Sequence, residues 1–401
     1  MGWLSDLAIP LKIAARGKIM TSSNPIFSDK RVVMTLDAGG TNFRFSAMRS
    51  GKFIVETVAM PACPDNLKDC LVRLVEGFRR VKASCPEPPV AISFAFPGPA
   101  DYPRGIIGDL GNLPCFRGGV PLGPILEDNF AIPTFMNNDG DLFAYGEAIG
   151  GFLPYVNGLL EKANNPRRYR NLLGVTIGTG FGGGIVRDGE LFIGDNSMAA
   201  ELWLMRNKLL PAMNVEESVS IRAVRHVYAD LSGEPLINTP EPAEIYRIAR
   251  GEWIGNKAAA MEAFRRLGES AGDAIANALT LVDGLIVIGG GLSGAASLFL
   301  PALLAELNGD YLLPGGKTIR RLASQAFNLD DEQSLNNFLK SSVRKIQVSD
   351  YINIMPNLSR SIDYDPLSRV GIGISRLGTS EAVAIGAYAF ALRRLGEAIT
   401  R

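Results

Sequence analysis

Two stretches of this chain share one pattern, and that pattern limits the fold more than any other feature. In each, a β-branched run ends at a glycine turn and a second strand-like run follows at once. The first is RVVMTLD at 31–37, then Ala38, Gly39, Gly40 and Thr41, then a run at 43–48. The second is NLLGVTI at 171–177, then GTGFGGG at 178–184 and a run at 185–187. A short glycine turn between two such runs closes a hairpin, so two strand–turn–strand units point to two related lobes. Apolar strand runs at 90–96 and 284–288 alternate with helical patterns at 65–84, 214–230 and 256–282. That alternation is the signature of an α/β protein. With 401 residues, 47% of them hydrophobic, the chain has material for two lobes. The stretch 309–378, with its polar turns and a Ser/Asn/Asp-rich middle, reads as an elaboration of the second lobe.

The same turns carry the first chemical signal. Glycine accepts positive φ and has no side chain, so backbone N–H groups can converge on a phosphate. Each unit could hold part of a triphosphate. Asp37, at the end of the first strand, could hold Mg²⁺ directly or through water, or it could cap a turn. Neither turn matches GxxxxGK[ST], and GTGFGGG does not run as GxGxxG into a helix. Gly289, Gly290 and Gly291 follow the strand at 284–288 and suit either a nucleotide or close helix packing. A further signal is NNDGD at 137–141, after an apolar segment at 131–136. Asp139 could accept the proton of a hydroxyl that attacks a phosphoryl group, and the same composition also makes turns.

Composition narrows the partners. Lys+Arg and Asp+Glu are both 41, so no bulk field draws nucleic acid or an anionic membrane. Four cysteines without CxxC spacing and a single histidine, His226, argue against zinc and disulfide frameworks and for a reducing cytoplasm. The leading segment MGWLSDLAIPLKIAARGKIM is short and interrupted by Asp6, Lys12, Arg16 and Lys18. It reads as an amphipathic helix, not as an export signal or a membrane span.

Taken in order, these motifs resemble the sugar kinases of the actin-like ATPase superfamily, in particular the ROK family with its glucokinase-like and hexokinase-like relatives. LDAGGTNFRF at 36–45 resembles the first phosphate motif and IGTGFGGGIVRDGELFIG at 177–194 the second. AFPGPAD at 95–101 is similar to the xxPGPVD segment, GNLP at 111–114 to the sugar loop, and NDGDLFAYGE at 138–147 to NDANxAAxGE. IVIGGGLS at 286–293 resembles the adenosine motif, and LGTSEAVAIGAYAFAL at 377–392 the closing helix.

The resemblance implies a two-lobed, ribonuclease H-like fold with duplicated mixed-sheet domains around a cleft. Residues 1–137 and a C-terminal helix at about 386–401 would form the small lobe; 138–385 would form the large lobe, with an insert at about 309–378. Asp139 would be the general base, and Gly98, Asn112, Asn138, Glu201 (in AAELW, 199–203) and Glu216 (in NVEESVSIRAV, 214–224) would meet the sugar. Asp37, Gly39, Gly40, Thr41 and Asn42 would meet phosphate and metal, Gly178, Thr179 and Gly180 the distal phosphates, and Gly290 and Gly291 the adenosine. ATP and Mg²⁺ are the implied cofactors, and a homodimer the implied assembly.

Two departures stand out. The family commonly follows its sugar glutamate with a histidine and a cysteine-rich zinc loop. Here Leu204 stands at the histidine position, and no cysteine lies beyond Cys115. No zinc is expected, and the loop 204–216 is expected to be held by packing of Trp203, Leu209, Leu210 and Met213. The expected activity is phosphorylation of a hexose, with glucose ahead of N-acetylglucosamine, mannose, N-acetylmannosamine and fructose; the other class of reading is a non-catalytic sugar-binding regulator. The family's transcription repressors carry an N-terminal winged helix-turn-helix, for which the segment before the first strand is too short.

Overall fold

The computed structural model describes residues 24–39, 41–111, 113–350 and 360–399. The leading segment, Gly40 and Asn112 lie outside the described residues.

The first half of the chain builds β1 (Val33–Ala38), β2 (Asn42–Arg49), β3 (Lys52–Phe53), β4 (Val58–Pro61), α1 (Leu67–Ser84) and β5 (Ala91–Ala95). A small ribbon of β6 (Ala100–Asp101) and β7 (Ile106–Ile107) follows, then α2 (Leu122–Phe130) and β8 (Thr134–Asn137). The sheet runs β3-β2-β1-β5-β8, with β4 also paired to β2. β1 and β2 are antiparallel, whereas β5 lies parallel to both β1 and β8. Helix α1 starts where the Asn66 side chain accepts from the Asp69 N–H, a cap for one orphan donor. It buries Cys70, Leu74, Gly77, Phe78 and Val81 against the sheet.

Next come α3 (Asp139–Gly150) and α4 (Phe152–Lys162), then β9 (Leu172–Ile177), β10 (Phe181–Arg187) and β11 (Glu190–Phe192). After α5 (Ile221–Ser232), α6 (Pro242–Ala249) and α7 (Lys257–Val282) the chain enters β12 (Leu285–Gly289) and α8 (Ala296–Leu307). The remainder holds a ribbon of β13 (Asp310–Leu312) and β14 (Thr318–Arg320), β15 (Gln325–Asn328), α9 (Glu332–Leu339), a ribbon of β16 (Arg344–Gln347) and β17 (Ser361–Tyr364), β18 (Arg369–Ile374) and α10 (Thr379–Ile399). The second sheet runs β11-β10-β9-β12-β18-β15. It repeats the plan of the first: an antiparallel three-strand meander followed by parallel neighbours.

Two expectations change. The segment 309–378 is not simply an insert, because it supplies β15 and β18 to the main second sheet. β18 is RVGIGI, buried at every position; its glycines dilute the β-branched pattern that would have marked it. The helical pattern at 214–230 begins late. Val215–Glu217 is a 3-10 turn, and the α-helix opens at Ile221, where Ser220 caps it by accepting from the Ala223 N–H.

Helix α3 joins the two sheets. It packs on β9 and β10 on one side and on α10 on the other, and α10 lies across β1, β5 and β8. Ten residues of α3 are buried, as an inner helix requires. Close approach depends on glycine. A Cβ at Gly146 would collide with the Ala382 carbonyl of α10, and one at Gly386 with the Leu142 carbonyl of α3. Among the described residues no helix is long and apolar enough to cross a membrane.

Gly146→Ala is expected to destabilise the fold in chemical denaturation. The gain in helix propensity is about 1 kcal/mol, but overpacking costs about 1–3 kcal/mol, and here the obstacle is backbone that cannot rotate aside. Gly158, in α4 with open space around it, is the control: its alanine variant is expected to hold or gain stability.

Candidate functional site

In both sheets the hairpin turns and the ends of the parallel strands fall at one edge, where ligands of open α/β sheets bind. At the end of β1, Asp37 is exposed and pairs in register with Arg44. The turn beyond it is tight: the Gly39 N–H donates to the Asn42 carbonyl at 3.1 Å, and the Ala62 N–H to the Thr41 carbonyl at 3.0 Å. Thr41 and Asn42 are exposed.

The second turn, between β9 and β10, is closed by the Gly178 N–H donating to the Gly180 carbonyl at 2.9 Å. It lies against the third glycine run. A Cβ on Gly178 would stand 3.6 Å from the Gly291 nitrogen, and the Leu292 N–H donates to the Ile177 carbonyl at 3.0 Å. Gly290 sits at φ +88° with its missing side chain directed at Ile177 backbone, and its N–H donates to Thr379 Oγ1 at 2.8 Å. Gly178, Thr179, Gly180, Gly290, Gly291 and the start of α10 therefore share one surface.

The rest of GTGFGGG serves packing. A Cβ on Gly184 would strike the Gly140 carbonyl of α3, while one on Gly183 would stand 2.7 Å from Leu202 and 2.9 Å from the Ala200 carbonyl. Missing side chains let α3 settle on one face of β10 and the segment 200–202 on the other. The consequence is that Asp139, Asp141 and Glu201 converge. Ala200 is held at φ +60° and Ser197 at φ +55°, uncommon for residues with a Cβ, so the turn that delivers Glu201 is strained.

Asn138 caps α3, its Oδ1 accepting from the Gly140 N–H at 2.8 Å; Asp139 Oδ1 accepts from the same N–H at 2.9 Å. Solvent reaches Asp139. The surrounding protein still desolvates its carboxyl enough to raise it above the ordinary 3.8, against the pull of the Gly140 N–H. Asp141, which the sequence did not single out, is only 3% exposed. Burial, then the charges of Glu201 and Asp139, push its carboxyl well above the usual range, and its Oδ1 has no hydrogen-bond partner among the described residues. Tyr102 completes the group. Its hydroxyl donates to the Phe96 carbonyl at 2.8 Å, lies within reach of the Asn138 side chain, and would stand 3.2 Å from a Cβ on Gly98. Trp203 Nε1 donates to Glu201 Oε2.

Glu216 is placed elsewhere. Its Oε2 accepts from the Phe181 N–H at 2.9 Å, and its Oε1 pairs with Arg222 at 2.8 Å, so the structure joins it to the turn at 178–180. A cavity of about 300 Å³ lined by Arg31, Tyr145 and Arg393 shares no residue with this surface. Among the described residues no group of three or more His, Cys, Asp or Glu side chains is placed to hold a metal ion.

The ROK family model matches residues 33–314. Along 92% of its length the chain is 53% identical to a glucokinase from Parabacteroides distasonis, covering 99% of that chain with a TM-score of 0.83. A ROK hexokinase from Thermus thermophilus, 20% identical, covers 89% of this chain and 97% of its own with a TM-score of 0.61, a likeness of fold alone. An N-acetyl-D-glucosamine kinase from Photobacterium profundum is 28% identical over 67% of this chain and 88% of its own. The chain belongs to the ROK family, and its fold is the two-lobed actin-like ATPase fold.

Apolar packing holds the loop after Glu201 only in part: Trp203 packs against the core of the second lobe and Leu209 is half-buried, but Leu210 and Met213 are 43% and 53% exposed. The organiser is Asn207, fully buried at 0%. Its Nδ2 donates to the Asn214 carbonyl at 3.0 Å and to Ser218 Oγ at 2.8 Å, and its Oδ1 accepts from the Leu209 and Leu210 N–H groups, both at 3.0 Å. Lys208 pins the outside to Glu269 and Glu306. A single amide satisfies both ends of the loop. Asn207→Ala would strand those partners, a cost of about 2–4 kcal/mol. Urea unfolding should register that loss, and hydrogen exchange at 207–215 should accelerate.

Proposed function

We propose that this chain transfers the γ-phosphoryl group of ATP to the 6-hydroxyl of glucose, with Asp139 accepting the proton of that hydroxyl. As a ROK-family member the chain is a sugar kinase that uses ATP with a divalent metal. Glucose is preferred because the 53% identical relative is a glucokinase, whereas the N-acetyl-D-glucosamine kinase stands at 28%.

The observation that carries the reading is the Asp139 carboxyl at the N-terminus of α3. It is open to solvent and lifted above the ordinary aspartate range, which brings a general base closer to the pH at which it works. Gly98, Asn112, Asn138 and Glu201 would hold the sugar. Glu216 is read here as a support of the second turn, its carboxylate accepting from the Phe181 N–H and pairing with Arg222. Gly39, Gly40, Thr41 and Asn42 would meet phosphate from the first lobe, Gly178, Thr179 and Gly180 the distal phosphates from the second, and Gly290 and Gly291 the adenosine.

Asp37 suits magnesium: it offers an exposed carboxylate beside the first turn, the oxygen chemistry that ion prefers, bound directly or through water. Magnesium there would neutralise charge on the phosphates. The chain's own part is positioning, proton acceptance by Asp139 and exclusion of water as the lobes close. The reading divides the lobes at 137/138, with the C-terminal helix returning to the first. It takes the working protein as a zinc-free homodimer in the cytoplasm, without nucleic acid, in keeping with its balanced charge.

A coupled ADP-release assay with MgATP across glucose, mannose, fructose, N-acetylglucosamine and N-acetylmannosamine tests the assignment; highest kcat/KM on glucose is expected. Preference for another sugar would replace glucose, and no turnover on any would favour a sensor. Asp139→Asn should lower kcat by about 10²–10⁴-fold with the fold intact by circular dichroism. In the wild type, kcat/KM for the sugar should fall as pH drops through a value above 3.8, because protonation removes the base. A flat acid limb, or an active Asp139→Asn variant, would remove Asp139 from the role.

A further inference from the structure

The turn at 178–180 is held from one side by the segment that ends in the first turn of α5. The Ile221 N–H donates to the Gly178 carbonyl at 2.8 Å. Arg222 Nη1 donates to the Thr179 carbonyl at 3.3 Å, and Glu216 Oε2 accepts from the Phe181 N–H at 2.9 Å. Gly180 leaves room for that carboxylate, since a Cβ there would stand 2.6 Å from Glu216 Oε2. Arg222 in turn spans two acids, with Nη2 donating to Glu216 at 2.8 Å and to Glu217 at 2.6 Å. Its side chain is 41% exposed, against 21% for Glu216 and 39% for Glu217.

A carboxylate built into a turn that receives phosphates is an electrostatic liability. Two like charges at contact distance repel each other appreciably at the effective dielectric of a protein surface. Glu216 earns its place by satisfying the Phe181 amide, and its charge therefore has to be offset locally. Arg222 is the offset. The fork geometry of a guanidinium lets it engage two carboxylates and still reach the Thr179 carbonyl, which a lysine cannot reproduce.

We propose that Arg222 is a positioning residue for the distal phosphates of the nucleotide, holding the turn at 178–180 in shape and cancelling the charge of Glu216 beneath it. The inference rests on the reading that this turn receives phosphates. Arg222 acts through the turn and takes no part in the transfer itself.

The test is steady-state kinetics with glucose and MgATP, together with MgADP titration calorimetry, on the wild type, Arg222→Gln, Arg222→Lys and the double variant Arg222→Gln/Glu216→Gln. Arg222→Gln should raise the KM for MgATP and weaken MgADP binding by roughly tenfold. The KM for glucose should stay within about twofold. Arg222→Lys should recover part of the loss, because charge returns without the fork. The double variant should recover most of it, because the uncompensated charge is gone and the glutamine oxygen still accepts from Phe181. A residue that merely braces the fold would not be rescued by removing its partner. The inference is overturned by an unchanged MgATP KM in Arg222→Gln, by a rise confined to the glucose KM, or by a double variant no better than the single one. A wild-type protein that neither binds MgADP nor phosphorylates a sugar would overturn the phosphate reading itself, a result distinct from these.

Discussion

The structure depends on how closely α3 can be pressed between a sheet and a helix. On one side its first turn meets the backbone of β10 at Gly140, Gly183 and Gly184; on the other it crosses α10 at Gly146 and Gly386. Main chain touches main chain at both contacts, so the helix has almost no freedom to slide. Its far end is pinned as well. Glu147, fully buried, accepts from the Phe152 N–H at 2.7 Å and from the Ser375 hydroxyl and Leu377 N–H in the link between β18 and α10. Burial raises the Glu147 carboxyl, and those donors hold it back. One helix thus registers the first sheet, through α10, against the second.

That register concentrates acid at a single point. Asp139, Asp141 and Glu201 come from two separate segments, and only the close approach of both to β10 brings them together. The arrangement costs stability, since a carboxyl raised in the folded state destabilises the fold at pH values above its unfolded pKa. Part of that cost is offset by the helix N-terminus, whose dipole and free N–H groups favour negative charge, and by the Gly140 N–H in particular. Strain at Ala200 and Ser197 is a second expense at the same place, and such outliers gather where geometry is set for a ligand.

Much of the architecture was legible from local pattern. The β-branched runs became β1, β5, β9 and β12 within a residue or two, because strand formation follows alternation and branching at short range. The glycine turns marked both hairpins for the same reason. Legibility failed where glycine or a polar side chain carried tertiary meaning. The run at 182–184 reads as phosphate chemistry, yet two of its members serve to admit α3 and the 200–202 segment. Asn207 looks like any loop asparagine until its four hydrogen bonds are seen, and the exposed Leu210 and Met213 look like core. Residues 214–220 carry helical periodicity but fold as a turn, because Glu216 is drawn away to the Phe181 amide.

By itself, then, the sequence determined the inventory: two hairpin units, the strands at 31–37, 90–96, 171–177 and 284–288, and the acids and glycines available at their ends. These are properties of neighbours along the chain, set by propensity and periodicity. Tertiary structure alone decided which of those groups meet. Glu201 comes to Asp139 and Asp141, whereas Glu216 joins Phe181 and Arg222, and Arg222 in turn reaches the Thr179 carbonyl. Such assignments depend on distances across the fold, governed here by the absence of a side chain at a few crossings, and no local signal along the chain encodes them.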